Sequence, residues 1–205
     1  MKHQESISIE LIQNVQKWAI ARNIPKGCTA ADQALKLNSE NGELSDNIVK
    51  GAPLHPTSPD AKNIRDDIGD NIVVMIVNSL QTGIDFQQIY EMALHHFNSA
   101  FSNYSFTGSH SQKIKHYAQY NHSLARYILD VVFQKEQQTI EINLYRAILD
   151  LICISHTFGI QHSECLQASY DEIKDRKGIM FQGAFVKESD QRYEEIIKAF
   201  EEAYE

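Results

Sequence analysis

Two pairs of acidic residues have the spacing that places both carboxylates of a pair on one face of a helix. The pairs are Glu40-x-x-Glu43 and Asp67-x-x-Asp70, and residues three apart on a helix are neighbours. If the two helices pack antiparallel, four carboxylates converge in one cleft, and their repulsion is costly unless a cation neutralises it. Such oxygen ligands suit hard divalent ions, above all Mg²⁺. A solvated acidic face is the simpler explanation of either pair taken alone.

The helices that must position these pairs are indicated by proline and by apolar periodicity. Three of the four prolines, Pro53, Pro56 and Pro59, fall between the acidic pairs, which predicts a loop there because proline interrupts helices. After position 59 there is no proline, and apolar residues recur at three- and four-residue intervals. The chain is therefore predicted to be all-α. We expect helices over 6–22, 29–50, 60–81, 85–101, 112–136, 139–157, 162–176 and 189–204.

Residues 72–77 are rich in β-branched side chains, which also favours a buried strand. The segment continues the four-residue spacing of Ile64, Ile68 and Ile72 without a turn, so a helix is the better prediction. Because apolar residues cover every face of this helix, we expect it to be buried on several sides, at the centre of a bundle or at a subunit interface.

Each acidic motif also contains a glycine, Gly42 in the first and Gly69 in the second. Glycine inside a helix costs about 1 kcal/mol relative to alanine. We therefore expect these positions to allow close approach of another helix or of a ligand.

The two acidic pairs, separated by twenty-three residues, resemble the paired signature of the all-α nucleoside triphosphate pyrophosphohydrolases. This superfamily includes MazG, dimeric dUTPases, dCTPases and phosphoribosyl-ATP pyrophosphohydrolase. The resemblance covers roughly 10–86 and 144–190, and the stretch 171–190 is similar to the end of many phage-type MazG-like proteins. The family normally has Glu where this chain has Asp67.

The resemblance implies a MazG-like helical bundle and an enzyme that uses Mg²⁺, with Mn²⁺ as a substitute. It would hydrolyse a nucleotide between the α- and β-phosphates to a monophosphate and pyrophosphate. Glu40, Glu43, Asp67 and Asp70 would hold the metal, and Glu40 is our choice for the base that accepts a proton from the attacking water. One alternative is a catalytically weak nucleotide-binding or regulatory protein derived from this fold. Another is a helical interaction module with surface acidic pairs.

A basic cluster, Lys174, Arg176 and Lys177, precedes Gly178 in this acidic protein, and Lys187 follows it. Such side chains can donate to triphosphate oxygens. Cations at the end of a helix that stops at glycine also stabilise the helix itself. The spacing leaves both interpretations open, and the resemblance favours substrate binding by all three residues.

A weak internal repeat is indicated by the segments 80–84 and 156–160, which share Gly-Ile at an offset of 76 residues. Each segment separates two apolar helices, although a chance match remains an alternative. Applying the offset to the second acidic pair gives two residues that are not metal ligands: Asn143 opposite Asp67 and Arg146 opposite Asp70.

This repeat predicts a tandem organisation. Residues 1–100 would form the MazG-like unit that carries the carboxylates, 101–116 the linker, and 117–205 a degenerate second unit with the basic cluster and a terminal helix. Because members of the family bury paired helices across dimer interfaces, we expect an intrachain pseudo-dimer or a homodimer.

Composition limits the classes of partner. The formal net charge of -8 would repel a phosphate backbone, so we expect no nucleic-acid binding. No apolar run approaches the roughly eighteen residues of a membrane span, and the N-terminus is polar, so we expect a cytoplasmic protein that does not bind membranes. Three isolated cysteines predict reduced thiols. No glycine-rich phosphate loop is present, so a nucleotide would have to be held through metal.

Overall fold

The structure is a computed structural model that describes residues 3–50, 59–101 and 109–204. Within these ranges the chain is mostly helical, as predicted, with nine helices and one two-stranded hairpin. In chain order the elements are α1 (Ile9–Ala21), α2 (Ile24–Gly27), α3 (Ala30–Val49), α4 (Pro59–Thr82), α5 (Phe86–Phe101), α6 (His110–Val132), α7 (Gln137–Thr157), α8 (His162–Ile173), β1 (Gly178–Phe181), β2 (Ala184–Lys187) and α9 (Tyr193–Tyr204).

Helix α4 lies at the centre of the fold. It packs mainly against α3 and α8 and also contacts α1, α2, α5 and α7. Its residues Ile72 to Val77 are all buried, so the prediction of a helix buried on several sides is confirmed. The expected alternative, a strand, is excluded for this segment because it lies within one continuous helix.

The α3 helix begins with a capping box. The Thr29 hydroxyl accepts from the Asp32 amide, while the Asp32 carboxylate accepts from the Thr29 amide. This reciprocal pair satisfies two backbone groups that the first turn leaves without helical partners. The start of α3 is therefore well defined, and the register of the acidic face further along the helix follows from it.

The second half of the chain packs directly on the first. Helices α6 and α7 form an extensive pair, α3 packs on α6, and α5 packs on α7. Two buried hydrogen bonds join α6 to α4: Tyr120 donates to Asn71 at 2.8 Å, and Tyr127 donates to Asn78 at 2.6 Å. One hydrophobic cluster draws on residues from Ile7 to Ile173. Both predicted units therefore contribute to the same core.

The turns after α4 and α7 have the same backbone geometry. Gly83 and Gly159 have φ of 72° and 70°, in the left-handed region that glycine adopts at the end of a helix. In each turn the amide of the next isoleucine donates to the carbonyl oxygen of a serine five residues earlier, at 3.0 and 2.9 Å. The sequence match at an offset of 76 residues thus corresponds to two similar turns.

The β1–β2 hairpin lies where no strand was predicted from the sequence. Gly178 pairs with Lys187 and Phe181 with Ala184, and the turn residues Gln182 and Gly183 have φ of 49° and 82°. Positive φ at both central positions is typical of the tight turns that join antiparallel strands. In the sequence, Gln182-Gly183 between apolar residues is the local pattern that indicates this hairpin.

The remaining predictions about organisation are only partly covered by the described ranges. Pro59 begins α4, whereas Pro53 and Pro56 lie outside the described residues. Within the predicted linker, the residues from His110 onward are helical in α6, and 102–108 lie outside the described residues. All three cysteines are free thiols. No helix in the described ranges is long and apolar enough to cross a membrane.

Candidate functional site

A cleft of about 550 Å³ is bounded by α3, α4 and the hairpin. Its acidic lining residues are Asp32 and Glu40 from α3 and Asp70 from α4, and the last two come one from each predicted pair. Its basic lining residues are Lys36, Arg176 and Lys187. An apolar part of the wall is formed by Trp18, Ile24, Val73, Val74, Val77, Ile173, Met180 and Phe185. The cleft therefore combines acidic, basic and apolar surfaces.

Glu40 is the most buried residue of the first acidic pair. It is 8% exposed, and its carboxylate forms an ion pair with Lys36 one turn earlier, at 2.5 Å. Glu43 is exposed on the same helix. The Lys36 contact orients the Glu40 carboxylate and offsets part of its charge.

Asp67 is buried to a similar extent, with 7% of its surface exposed, and it is not among the residues that line the cleft. Its carboxylate accepts a hydrogen bond from Asn47 at 2.6 Å. Burial raises the pKa of Asp67 to about 6, and the negative charges of Glu43, Asp66 and Glu40 add to this effect, while the Asn47 hydrogen bond opposes it. The two acidic pairs are thus within range of each other's charge.

Asp70, like Asp67, has a raised pKa. Burial raises the pKa of Asp70 to about 7, followed by the negative charge of Glu40 and, further down, those of Glu172 and Asp67, whereas a hydrogen bond with Ser169 lowers it. A carboxylate with such a pKa is poorly compensated by its surroundings. A cation at this position would relieve the repulsion.

The donor set fits a divalent cation by its chemistry, since it consists of carboxylate oxygens with unrelieved negative charge. Within the described ranges, however, no three histidine, cysteine or acidic side chains are grouped closely enough to hold a metal ion. Glu40 is engaged with Lys36 and Asp67 with Asn47. Binding an ion would therefore require these carboxylates to rearrange.

The two motif glycines differ in their surroundings. A Cβ on Gly69 would lie 2.1 Å from both the Cys165 carbonyl oxygen and the Ser169 hydroxyl, so Gly69 allows α8 to pack against α4. A Cβ on Gly42 would meet nothing within 4 Å. The expectation of close approach is confirmed for Gly69, where the partner is a helix, whereas no helix in the described part of the chain approaches Gly42.

The predicted basic cluster is divided by the structure. Arg176 lines the cleft and forms an ion pair with Glu172 at 3.0 Å. Lys174 pairs with Asp171 at 2.7 Å and Lys177 with Glu188 at 3.4 Å. Neither lysine is among the residues that line the cleft.

Lys187 of β2, the basic residue that follows the cluster in the sequence, also lines the cleft. The sequence did not predict the hairpin, which returns the chain from Gly178 and thereby brings Lys187 towards the cleft. The turn between α1 and α3 holds this hairpin: the Met180 amide donates to the Arg22 carbonyl at 2.8 Å, and the Gly183 amide donates to the Gly27 carbonyl at 2.7 Å.

Comparison with known proteins gives one distant relationship. A protein of Haemophilus phage HP1 (strain HP1c1), described as an uncharacterized 18.2 kDa protein in the rep-hol intergenic region, is 38% identical over 76 residues. The match covers 37% of this chain and 42% of the phage protein, so the chain spans less than half the length of that relative. No family model matches the chain. No solved structure matches it.

Proposed function

We propose that this protein is a Mg²⁺-dependent nucleoside triphosphate pyrophosphohydrolase whose active site is the cleft between α3, α4 and the hairpin. The observation that carries the proposal is the presence of Glu40, Asp70 and Arg176 on one cleft, although they are distant in sequence. A triphosphate complexed with a divalent cation requires acidic groups for the cation and basic groups for the phosphates. The cleft has both.

The proposed residue roles combine two carboxylates that line the cleft, Glu40 and Asp70, with two that do not line it, Glu43 and Asp67. Glu40, Glu43, Asp67 and Asp70 would hold Mg²⁺, or Mn²⁺ in its place, and the bound ion would neutralise phosphate charge and acidify bound water. Arg176 and Lys187 donate to phosphate oxygens. Glu40, oriented by Lys36 at 2.5 Å, accepts the proton of the attacking water. Lys174 and Lys177 contribute positive charge nearby and make no direct contact in this scheme.

The apolar part of the cleft suits a nucleobase. Trp18, Met180 and Phe185 offer flat or flexible apolar surface. The Trp18 indole N–H is buried, and no acceptor among the described residues contacts it. Because an unsatisfied buried donor is unfavourable, a base carbonyl bound against this wall would be stabilised by accepting a hydrogen bond from the Trp18 N–H.

A MazG-like pseudo-dimer is the architecture we propose for this activity. The matching turns at Gly83 and Gly159 support it, as does the shared core of the two halves. One chain would then provide the paired helices that two subunits provide in a dimer. Light scattering of the purified protein tests this architecture, because an active monomer is expected, and activity confined to a dimer would contradict it.

A non-catalytic nucleotide binder is the second candidate. It is favoured by the engagement of Glu40 with Lys36 and of Asp67 with Asn47, which leaves these carboxylates partly compensated. Such a protein would bind nucleotides in the same cleft and release no pyrophosphate. Thermal stabilisation by nucleotide without turnover would distinguish it from the enzyme, and the absence of both would favour a helical interaction module.

The deciding experiment is a screen for pyrophosphate release from ribo- and deoxynucleoside triphosphates, with Mg²⁺ and with EDTA. Glu40→Gln and Asp70→Asn should each lower turnover at least about a hundredfold, because each removes a carboxylate from the charged cluster. Asp46→Asn is the matched control, since Asp46 lies on α3 with a 73% exposed side chain paired to Lys50.

Two outcomes would refute the enzyme. One is the absence of Mg²⁺-dependent pyrophosphate release from every triphosphate tested. The other is turnover by Asp70→Asn near the wild-type rate, with helical circular dichroism unchanged. In either case the cleft would not be a hydrolytic centre.

A further inference from the structure

A second pocket, of about 310 Å³, lies between α6 and α7. Its lining includes two arginines from different helices, Arg126 of α6 and Arg146 of α7, together with Asp150. Gln119, His122, Ser123 and Leu149 complete the lining. The proposed hydrolysis uses none of these residues.

The helices of the α6–α7 pair end at positions that correspond to the ends of α3 and α4. Helix α3 ends at Val49 and α6 ends at Val132, 83 positions later. The glycines that follow α4 and α7 are 76 positions apart and share the same left-handed φ. The two offsets together assign each position of the first helix pair to a position of the second.

Hydrogen bonds between the helices support this assignment. Asn47 of α3 donates to Asp67 of α4, and Asn143 of α7 donates to Asp130 of α6. At the two offsets, Asn47 corresponds to Asp130 and Asp67 to Asn143. The same amide–carboxylate contact therefore recurs at matching positions, with donor and acceptor exchanged between the helices.

In this assignment, none of the positions that correspond to the predicted metal ligands carries a negative charge. The four carboxylates correspond to neutral or cationic side chains: Glu40 to Ser123, Glu43 to Arg126, Asp67 to Asn143 and Asp70 to Arg146. Three of these four, Ser123, Arg126 and Arg146, line the second pocket. The pocket thus lies at the interhelical position that corresponds to the four carboxylates, with arginines in place of Glu43 and Asp70 and a neutral hydroxyl in place of Glu40.

The arginines retain donors for a ligand. Within 3–50, 59–101 and 109–204, no ion pair joins Arg126 or Arg146 to a carboxylate. Asp150 accepts from Ser123 at 2.5 Å, and Arg146 donates to the Asn143 side chain at 3.2 Å. Asp150 places one carboxyl group in the same pocket. Each guanidinium carries five N–H donors, so most of them stay available.

We propose that the α6–α7 pocket binds a small phosphate-bearing anion directly through Arg126 and Arg146, without a metal ion. Planar guanidinium forks match pairs of phosphate oxygens. The volume is at the lower end for ligand pockets, which suits a diphosphate better than a whole nucleotide. The proposal does not depend on hydrolysis in the first cleft.

Calorimetric titration of the full chain with sodium pyrophosphate in EDTA tests this site, because EDTA removes the metal-dependent contribution. Wild-type protein should bind, and Arg126→Gln and Arg146→Gln should each weaken binding about tenfold or more, since each removes charge-assisted hydrogen bonds. Arg192→Gln, which removes an exposed guanidinium paired with Asp190, is the matched control and should bind like the wild type, while Arg176→Gln reports any binding in the first cleft. Both arginines of the pocket are exposed, and melting curves verify that the variants are folded.

Parallel titrations with inorganic phosphate and with a nucleoside triphosphate identify the source of the phosphate group. The tightest binding identifies the preferred source, provided that it is lost in Arg126→Gln and Arg146→Gln. Absence of binding by all three anions would overturn the proposal. Wild-type affinity in both pocket variants, or loss of binding only in Arg176→Gln, would also overturn it.

Discussion

The Arg22 side chain donates from Nε to the main-chain oxygen of Arg176 at 2.6 Å. A second nitrogen of the same guanidinium donates to the Lys174 carbonyl at 3.2 Å, and the group lies 5.1 Å from the centre of the Trp18 ring. Arg22 itself is not among the residues that line the cleft. The end of α1 therefore holds the segment after α8, which carries the basic side chain of the cleft.

Arg22→Gln should impair substrate binding through this positioning. Loss of the two carbonyl contacts is expected to raise KM severalfold with a smaller change in kcat, because Arg176 becomes less well placed. Steady-state kinetics of pyrophosphate release measure the effect. Arg192→Gln, which removes a surface ion pair with Asp190, is the control, and equal KM values for the two variants would contradict the positioning role.

Arg176 and Lys177 should differ although they are adjacent in sequence. Arg176 lines the cleft, whereas Lys177 pairs with Glu188 outside it. Arg176→Gln is expected to lower kcat/KM by roughly tenfold or more through lost phosphate contacts, and Lys177→Gln should leave it nearly unchanged. Similar losses in both variants would indicate a general electrostatic effect of the cluster.

Gly69→Ala should destabilise the fold because a methyl group would collide with α8. The added Cβ would lie 2.1 Å from the Cys165 carbonyl oxygen, so we expect a loss of about 1–3 kcal/mol in the free energy of unfolding. Gly42→Ala, at a position on α3 where no other described residue would contact the added methyl group, should gain up to about 1 kcal/mol from helix propensity. Urea denaturation compares the two, and a neutral Gly69→Ala would contradict the tight contact.

The metal-free protein should lose stability as the pH rises from about 4 to about 7. The folded pKa of Asp70 is raised to about 7 by burial and by the charge of Glu40, so in this window the native state binds more protons than the unfolded state. Asp70→Asn removes the cost of ionisation and should stabilise the protein at pH 8 by about 1–2 kcal/mol.

Melting curves between pH 4 and pH 8 in EDTA measure this effect. Asp46→Asn serves as the exposed control on α3 and should retain the wild-type dependence on pH. A slope in Asp70→Asn parallel to that of the wild type would show that Asp70 ionises without penalty in the folded protein.

The sequence by itself determined the helical class and most helix positions. Apolar periodicity is a local property, and it identified the continuous helix through Ile72 even though β-branched residues favour strands there. Proline marked the start of α4, since Pro59 is its first residue. The spacing within each acidic pair likewise followed from helix geometry alone.

Only the tertiary structure decided which charged groups meet. The β1–β2 hairpin brings Lys187 to the cleft, and contacts with Arg22 place Arg176 there, while the neighbouring Lys174 and Lys177 form ion pairs outside it. Burial decided the titration of Asp67 and Asp70, because desolvation depends on packing against other helices and not on neighbours in sequence. Sequence spacing assigns a side chain to a helix face, but the packing of that face determines its partners and its charge.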